Sequence, residues 1–470
     1  MCDFKFLGKP NTWRSLIKST NIQLLTFPLF KNTLKVYSSC LVTSFLSLLG
    51  YIISVLYISK LNENAIAASG LIESSLATTY VVCFGLLNSV TLLSAKSFGE
   101  KNPFKSIEIL INSLVYTIPV VLIPCFILYY SDSIFLSLGQ PKEVVSYAYQ
   151  VLFISIIDFP LAILSFTFSQ FLLAQNYQKI TVDITIFKFS IQVFLCYFMI
   201  HGFADFKGFG LNGLVYTWIL TDLIAVLFYI TFCYFKFLKS TQISSYLSLI
   251  KLGTLLQLFK LGIPSAIESS SVILVYSFII IIIGWSGVHE LTMQQVINQY
   301  ANIFTTPFSV LMSAGAILAG QGYGELDKSK ISIHRKNLLL IGYIQFILIC
   351  AILLSSSNFL VRSYIGSESI LTEHEIWITK LMLSLIGIKL IFDIYLWTNM
   401  GCLRGMFDVK SPMYIQVLLA YFIQLPCCYI LSYNLGYGVT GFVIANIIVT
   451  ILGAFLMNIR FKQQFIKVYF

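Results

Sequence analysis

Charge is what this chain has least of. Only 11% of its 470 residues are Asp, Glu, Lys or Arg, where a soluble globular domain carries about a quarter. That shortfall excludes a water-soluble fold. Catalytic signatures are missing too: the sequence has no GxxxxGK[ST] phosphate loop, no HExxH and no GxSxG elbow, so we read no enzyme in it. The letters GxGxxG occur from Gly208 to Gly213 and from Gly436 to Gly441, but each opens an apolar span after a polar turn, which close helix packing explains. Ten cysteines are scattered through apolar runs without a CxxC spacing and read as packing residues. His201, His289, His334 and His374 lie at span ends or in loops and form no metal triad, so no cofactor or metal is expected. Met1 to Lys18 lacks the small-residue cleavage site of a signal peptide and reads as a retained tail.

What the chain has instead is hydrophobic length. Apolar residues make up 57% of it, in runs that reach the roughly 20 residues a helix needs to cross a bilayer. Runs such as Phe278 to Ile283 do not alternate, which argues against a membrane β-barrel. Twelve spans are predicted, near 27–58, 65–93, 107–129, 143–172, 180–201, 209–235, 256–286, 292–318, 335–356, 371–402, 412–432 and 437–459. The net charge of +10 comes from Lys and Arg that cluster on alternate connections, which fixes orientation in the membrane and gives no reason to expect nucleic acid. The expectation is a multi-pass cell-membrane protein (the inner membrane in a Gram-negative cell) with both termini in the cytosol. Its predicted parts are a tail over 1–26, a first lobe over 27–235, a linker over 236–255, a second lobe over 256–459 and a tail over 460–470.

The halves echo each other at an offset of roughly 230 residues. Ser97-Phe98-Gly99-Glu100 returns as Gly322-Tyr323-Gly324-Glu325, Gly208 to Gly213 returns as Gly436 to Gly441, and Pro28 is matched with Pro264.

More specific patterns follow. Ala65-Ile66-Ala67-Ala68-Ser69-Gly70, Ser97 to Glu100, the stretch Pro141 to Ile180, Asn298-Gln299, Gly320 to Glu325, Phe392-Asp393, Leu403 to Asp408 and Ser411-Pro412 together resemble the MATE (multidrug and toxic compound extrusion) transporters. The resemblance covers about residues 20 to 460. It implies an all-α integral membrane fold of twelve transmembrane helices, in two pseudo-symmetric six-helix bundles around a central cavity. It also implies secondary antiport, moving an organic, cationic or amphipathic, compound against H⁺ or Na⁺, with the chain working as a monomer in the lipid bilayer.

An ionisable residue at bilayer depth is costly, which makes each one a functional candidate. Asp393 matches the aspartate of the family's second-lobe cation site. Glu268 is one turn after Pro264, where the family's own seventh-helix carboxylate position holds Val272. Lys389 is one turn before Asp393 and reads either as a displaceable counter-ion or as a static partner. Asp158, beside Pro160, falls by the repeat opposite Lys389, and Lys188 reads as an end-of-helix pair with Asp183. In the first lobe, the positions that carry acids or amides in the family hold Ser54, Gln192 and Cys196, so its usual ion site is expected to be absent. Asn298, Gln299, Tyr300, Phe304 and Gln192 are candidates for lining the cavity. Two other functions stay open: a flippase for lipid-linked precursors, drawing on Lys31, Lys35, Lys188 and Lys389, and a receptor or scaffold on a degenerate transporter.

Overall fold

A computed structural model describes residues 27–58, 63–203, 207–239, 248–364 and 373–467. The tail over 1–26 and the centre of the linker lie outside them. Among the described residues, twelve helices are long and apolar enough to span a bilayer. The first six are α1 (Phe27–Ile58), α2 (Glu63–Gly99), α3 (Pro103–Tyr129), α4 (Lys142–Ala174), α5 (Gln178–His201) and α6 (Asn212–Leu238). The second six are α7 (Leu252–Gly284), α8 (Val288–Gly324), α9 (Lys328–Tyr364), α10 (Glu373–Gly405), α11 (Lys410–Asn434) and α12 (Gly438–Lys467).

A chain this apolar must satisfy its backbone polar groups internally, which helices do without help from neighbours. Hydroxyls inside the spans follow suit by bonding back one turn, as Ser39 Oγ to Lys35 O (2.8 Å), Ser54 Oγ to Gly50 O (2.9 Å) and Thr217 Oγ1 to Gly213 O (2.8 Å) show. Several helices outrun their apolar runs, because a helix does not end where its side chains turn polar. Thus α8 continues to Gly324, and α12 continues through Lys467, so most of the expected C-terminal tail is helix. Pro426 withholds one donor from α11, and wider π turns flank it at Ala420–Gln424 and Tyr429–Asn434.

The repeat is visible in which helices touch. Helix α2 packs on α4 as α8 packs on α10; α4 packs on α6 as α10 does on α12; α1 packs on α5 as α7 does on α11. Two lobes with one plan result. The lobe junction obeys the same symmetry, since α1 packs on α8 and α9 while α7 packs on α2 and α3. Helices α1 and α7 each cross from one lobe to the other. The first half of α1 contributes Val36, Tyr37 and Cys40 to a core shared with Phe308, Leu338 and Leu390, whereas its second half lies on α5. Helix α7 does the reverse: Leu258 joins the first-lobe core, and Val275, Ile279 and Ile283 join that of the second lobe. The expected match of Pro28 with Pro264 does not hold. Pro28 is the second residue of α1, Pro264 is well inside α7, and the other echoes share a shorter offset of about 225 residues.

The echoed glycines mark the seam between lobes. A Cβ on Gly99 would come within 2.1 Å of Gln321 O, and one on Gly324 within 2.1 Å of Lys96 O, so α2 and α8 cross there with their backbones in contact. Each crossing is followed by a paired acid: Glu100 with Lys105 (2.7 Å), and Glu325 with Lys330.

Candidate functional site

Two features can carry chemistry, a polar cleft between the lobes and charged groups buried within them. The cleft follows from helix faces. On α2, Gly85, Leu92 and Gly99 recur every seven residues on the face that meets the second lobe. Thr78 and Ser74 continue that face toward the other end of α2, and both are exposed. The same switch occurs on α1, where Thr33 and Tyr37 are buried against the second lobe while Ser44, Ser47 and Tyr51 farther along that face are exposed. On α8 the face of Gly320 and Gly324 carries the exposed Gln295 and Asn302 and the half-buried Asn298 and Thr306. On α7 the face of Ala266 carries the exposed Ser277. The lobes therefore meet at the end rich in Lys and Arg and part toward the opposite end, and polar residues line the parted faces.

Hydrogen bonds reinforce the closed end. Thr33 Oγ1 pairs with His334 Nδ1 (2.8 Å), Tyr37 Oη donates to Gln345 Oε1 (2.6 Å), and Gln321 Nε2 donates to Ala174 O (2.9 Å). The entry to α7 is tied to α3, as Lys251 Nζ meets Glu108 Oε2 (2.7 Å) and Lys251 N donates to Asn112 Oδ1 (2.9 Å). Lys96 also reaches over the rings of Tyr323 (5.7 Å) and Phe407 (5.2 Å) across the seam.

In the second lobe, Lys389 Nζ donates to Asp393 Oδ2 at 2.6 Å. Asp393 is 1% exposed, and its Oδ1 is buried without a hydrogen-bond partner; the lysine is the wetter member, with its side chain 17% exposed. Glu268 is somewhere else. Its Oε2 accepts from Arg404 Nη2 at 2.8 Å, and Arg404 is about three turns, roughly 16 Å, along α10 from Asp393. The structure thus does not bring the two carboxylates into one site.

In the first lobe, Tyr80 Oη donates to Asp158 Oδ2 (3.3 Å), and Asp158 Oδ1 is buried without a partner. Lys188 Nζ meets Asp222 Oδ1 at 2.5 Å, and both lie close enough to Asp158 to act on it electrostatically. The expected pairing of Lys188 with Asp183 is therefore replaced, and Asp183 is exposed. Sequence reasoning missed Asp222, although a lone acid in the apolar run Trp218 to Val226 carries the same signal that drew attention to Asp393.

Of the expected cavity residues, Asn298 is on the cleft face. The side chains of Gln299 and Tyr300 lie outside those described. Phe304 is a correction: it is 8% exposed and packs in the core that α8 shares with α1 and α9, because its position on α8 turns it into protein. Gln192 packs against Gly50 where α1 meets α5.

A family model described as MatE matches residues 40–198 and 264–430, well over half of the chain. The chain belongs to the MatE family. Curated relatives include a probable multidrug resistance protein NorM of Mannheimia succiniciproducens, 25% identical over 71% of this chain and 72% of its own length. A NorM of Bradyrhizobium diazoefficiens is 24% identical over 86% and 87%, and YoeA of Bacillus subtilis is 22% identical over 91% and 88%. Among solved structures, a multidrug resistance MATE transporter in an outward-facing conformation superposes with a TM-score of 0.82 at 15% identity, over 93% of this chain and 96% of that one. The eukaryotic MATE transporter AtDTX14 superposes with a TM-score of 0.79 at 18% identity, over 94% and 98%.

As a MatE protein, the chain is a multi-pass membrane transporter and not an enzyme. In this MatE chain, α1 and α5 do bring together the positions expected to hold the first-lobe ion site. Cys196 Sγ meets Ser54 Oγ at 3.8 Å, one turn from the Gly50–Gln192 contact. A thiol, a hydroxyl and an amide occupy them, and the buried acids of this lobe, Asp158 and Asp222, sit instead on α4 and α6.

Proposed function

We propose that the protein is a secondary antiporter that exports organic cations or amphipathic amines from the cytosol in exchange for protons. The observation that carries this reading is the Asp393–Lys389 pair, a buried acid whose one ionic partner among the described residues is a lysine in wetter surroundings. A proton arriving at Asp393 cancels its charge and frees Lys389. A sodium ion would have to share the carboxylate with a fixed ammonium that repels it, which favours H⁺ over Na⁺. Lysine release alters the packing of α10 against α8, the helix that forms both the seam and one wall of the cleft. Coupling requires only that the proton and the substrate prefer different lobe arrangements, by a few kcal/mol. Asp158 and Glu268 act as further charge-sensing groups within the same cycle.

The basic end of the bundle faces the cytosol in this reading, with both termini there. The cleft described above then opens outward. Each copy contains both lobes and the whole seam, so one copy suffices. A precursor flippase would need spare cations in the cleft for a pyrophosphate, whereas Lys188 and Lys389 are both committed to acids.

Uptake of a labelled organic cation into inverted vesicles, with a pH gradient or a sodium gradient imposed, tests this directly. Wild type should respond to the pH gradient alone. Asp393→Asn, with unchanged folding by size-exclusion chromatography, should lose gradient-driven uptake at least about tenfold; uptake at the wild-type rate would remove Asp393 from the mechanism.

A further inference from the structure

One acidic side chain beside the cleft has no part in the proposed cycle. Glu73 lies on α2 one residue before Ser74 and is exposed. Tyr51, 41% exposed on the cleft face of α1, donates its hydroxyl to Glu73 Oε1. We propose that Glu73, oriented by Tyr51, recognises the positive charge of the transported organic cation.

Three observations converge on this. First, the bond from Tyr51 brings a charged side chain to the cleft, whereas the polar residues placed on its walls, Ser44, Ser47, Ser74, Thr78, Ser277, Gln295, Asn298, Asn302 and Thr306, are all neutral. Second, the repeat places Asn298 of α8 at the position of Glu73, so the two walls offer a carboxylate on one side and amides on the other. A ligand that lies between them meets negative charge only on the α1–α2 side. Third, the carboxylate comes with an aromatic ring at its side, and a carboxylate plus the face of a tyrosine attracts a dispersed organic cation better than either group alone. A purely structural role as a clamp between α1 and α2 would need neither the exposure of Glu73 nor that of Tyr51. Tyr51 is on the side of α1 that packs against the second lobe lower down, and its hydroxyl holds the carboxylate toward the cleft.

This inference rests on the export reading above, and the probe is chosen to separate the two. Tetraphenylphosphonium and tetraphenylborate have the same shape and opposite charge. Binding of each to the purified full-length protein is measured by calorimetry. Wild type should prefer the cation. Glu73→Gln should lose about tenfold in cation affinity with borate binding unchanged, Glu73→Asp should keep most of the preference, and Tyr51→Phe should lose two- to threefold, roughly the effect of one exposed hydrogen bond. A Glu73→Gln protein that still prefers the cation as wild type does overturns the assignment of Glu73 and leaves export standing. A wild-type protein with no preference overturns both. On the unmodified chain, tetraphenylphosphonium should also shield Glu73 from carbodiimide-driven amine labelling, read by peptide mass spectrometry, whereas tetraphenylborate should not. Labelling that ignores the cation counts equally against the proposal, whatever the stability of the variants.

Discussion

The two lobes share a scaffold and differ in how they balance buried charge. In the second lobe each buried acid has its own base, Asp393 with Lys389 and Glu268 with Arg404. In the first, Asp158 and Asp222 share Lys188, with Tyr80 donating to the odd acid. Where the first lobe has Asp158 the repeat places Lys389, and the first-lobe set holds one acid more than its bases while the second-lobe set is balanced. The packing devices have stayed in step, as the reciprocal contacts of Gly99 and Gly324 show. A backbone crossing tolerates only one solution, while charge need only be balanced locally, and so charge is where duplicated halves are free to take up separate work.

The sharpest way to break this comparison is to strand a charge in the lobe that balances them. Arg404→Leu leaves Glu268 buried and alone and should cost about 3–5 kcal/mol, seen as a large fall in melting temperature that Glu268→Gln in the same chain largely reverses. A fall equivalent to under about 1 kcal/mol would mean the pair is not what neutralises that site. In the first lobe Lys188→Met should cost about 3 kcal/mol by stranding Asp222, whereas Asp158→Asn should change stability by less than about 1 kcal/mol or raise it, because it removes the surplus charge. The opposite ranking of those two variants in a thermal melt would show that Asp158 is the true partner of Lys188.

The smallest effect sharpens the comparison at matched helix starts. Helix α3 is capped by Asn102, whose Oδ1 accepts from Lys105 N (3.1 Å), and α9 by Asp327, whose Oδ1 accepts from Lys330 N (3.2 Å) and from Ser329 Oγ (2.6 Å). The bond from Ser329, with further help from backbone donors and Lys330, holds the Asp327 carboxyl below its usual range. A depressed native pKa adds stability that is fully present above the unfolded value of about 3.9 and is lost as pH falls through the native one. Asp327→Asn should therefore flatten the acid limb of a melting-temperature profile, and Asp327→Ala should cost about 1 kcal/mol at neutral pH. Asn102 should contribute no such limb.

Much of the fold was legible because lipid imposes a simple rule: long apolar runs become helices, and their number and basic flanks follow from composition. The lobe seam was half visible, since the echoed glycines could be seen to repeat but not to face each other. The charged sites were legible as depth and not as partnership. Asp393 and Lys389 share one helix, so their spacing sufficed. Lys188 finds Asp222 on the next helix, and Glu268 finds Arg404 three helices on, pairings that depend on how helices rotate and tilt against each other. Glu73 escaped notice for a different reason. It is near the start of an apolar run, where a carboxylate looks like a surface residue until the bond from Tyr51 on α1 places it beside the cleft.

The crossing of α1 and α7 makes the two halves interdependent. Each half of the chain seats the leading portion of its first helix in its sibling, so neither half could close its core alone. Two separate halves would have to embrace reciprocally, each exchanging that helix with the other. The same exchange predicts that the separated halves should recover a native assembly only when synthesised together.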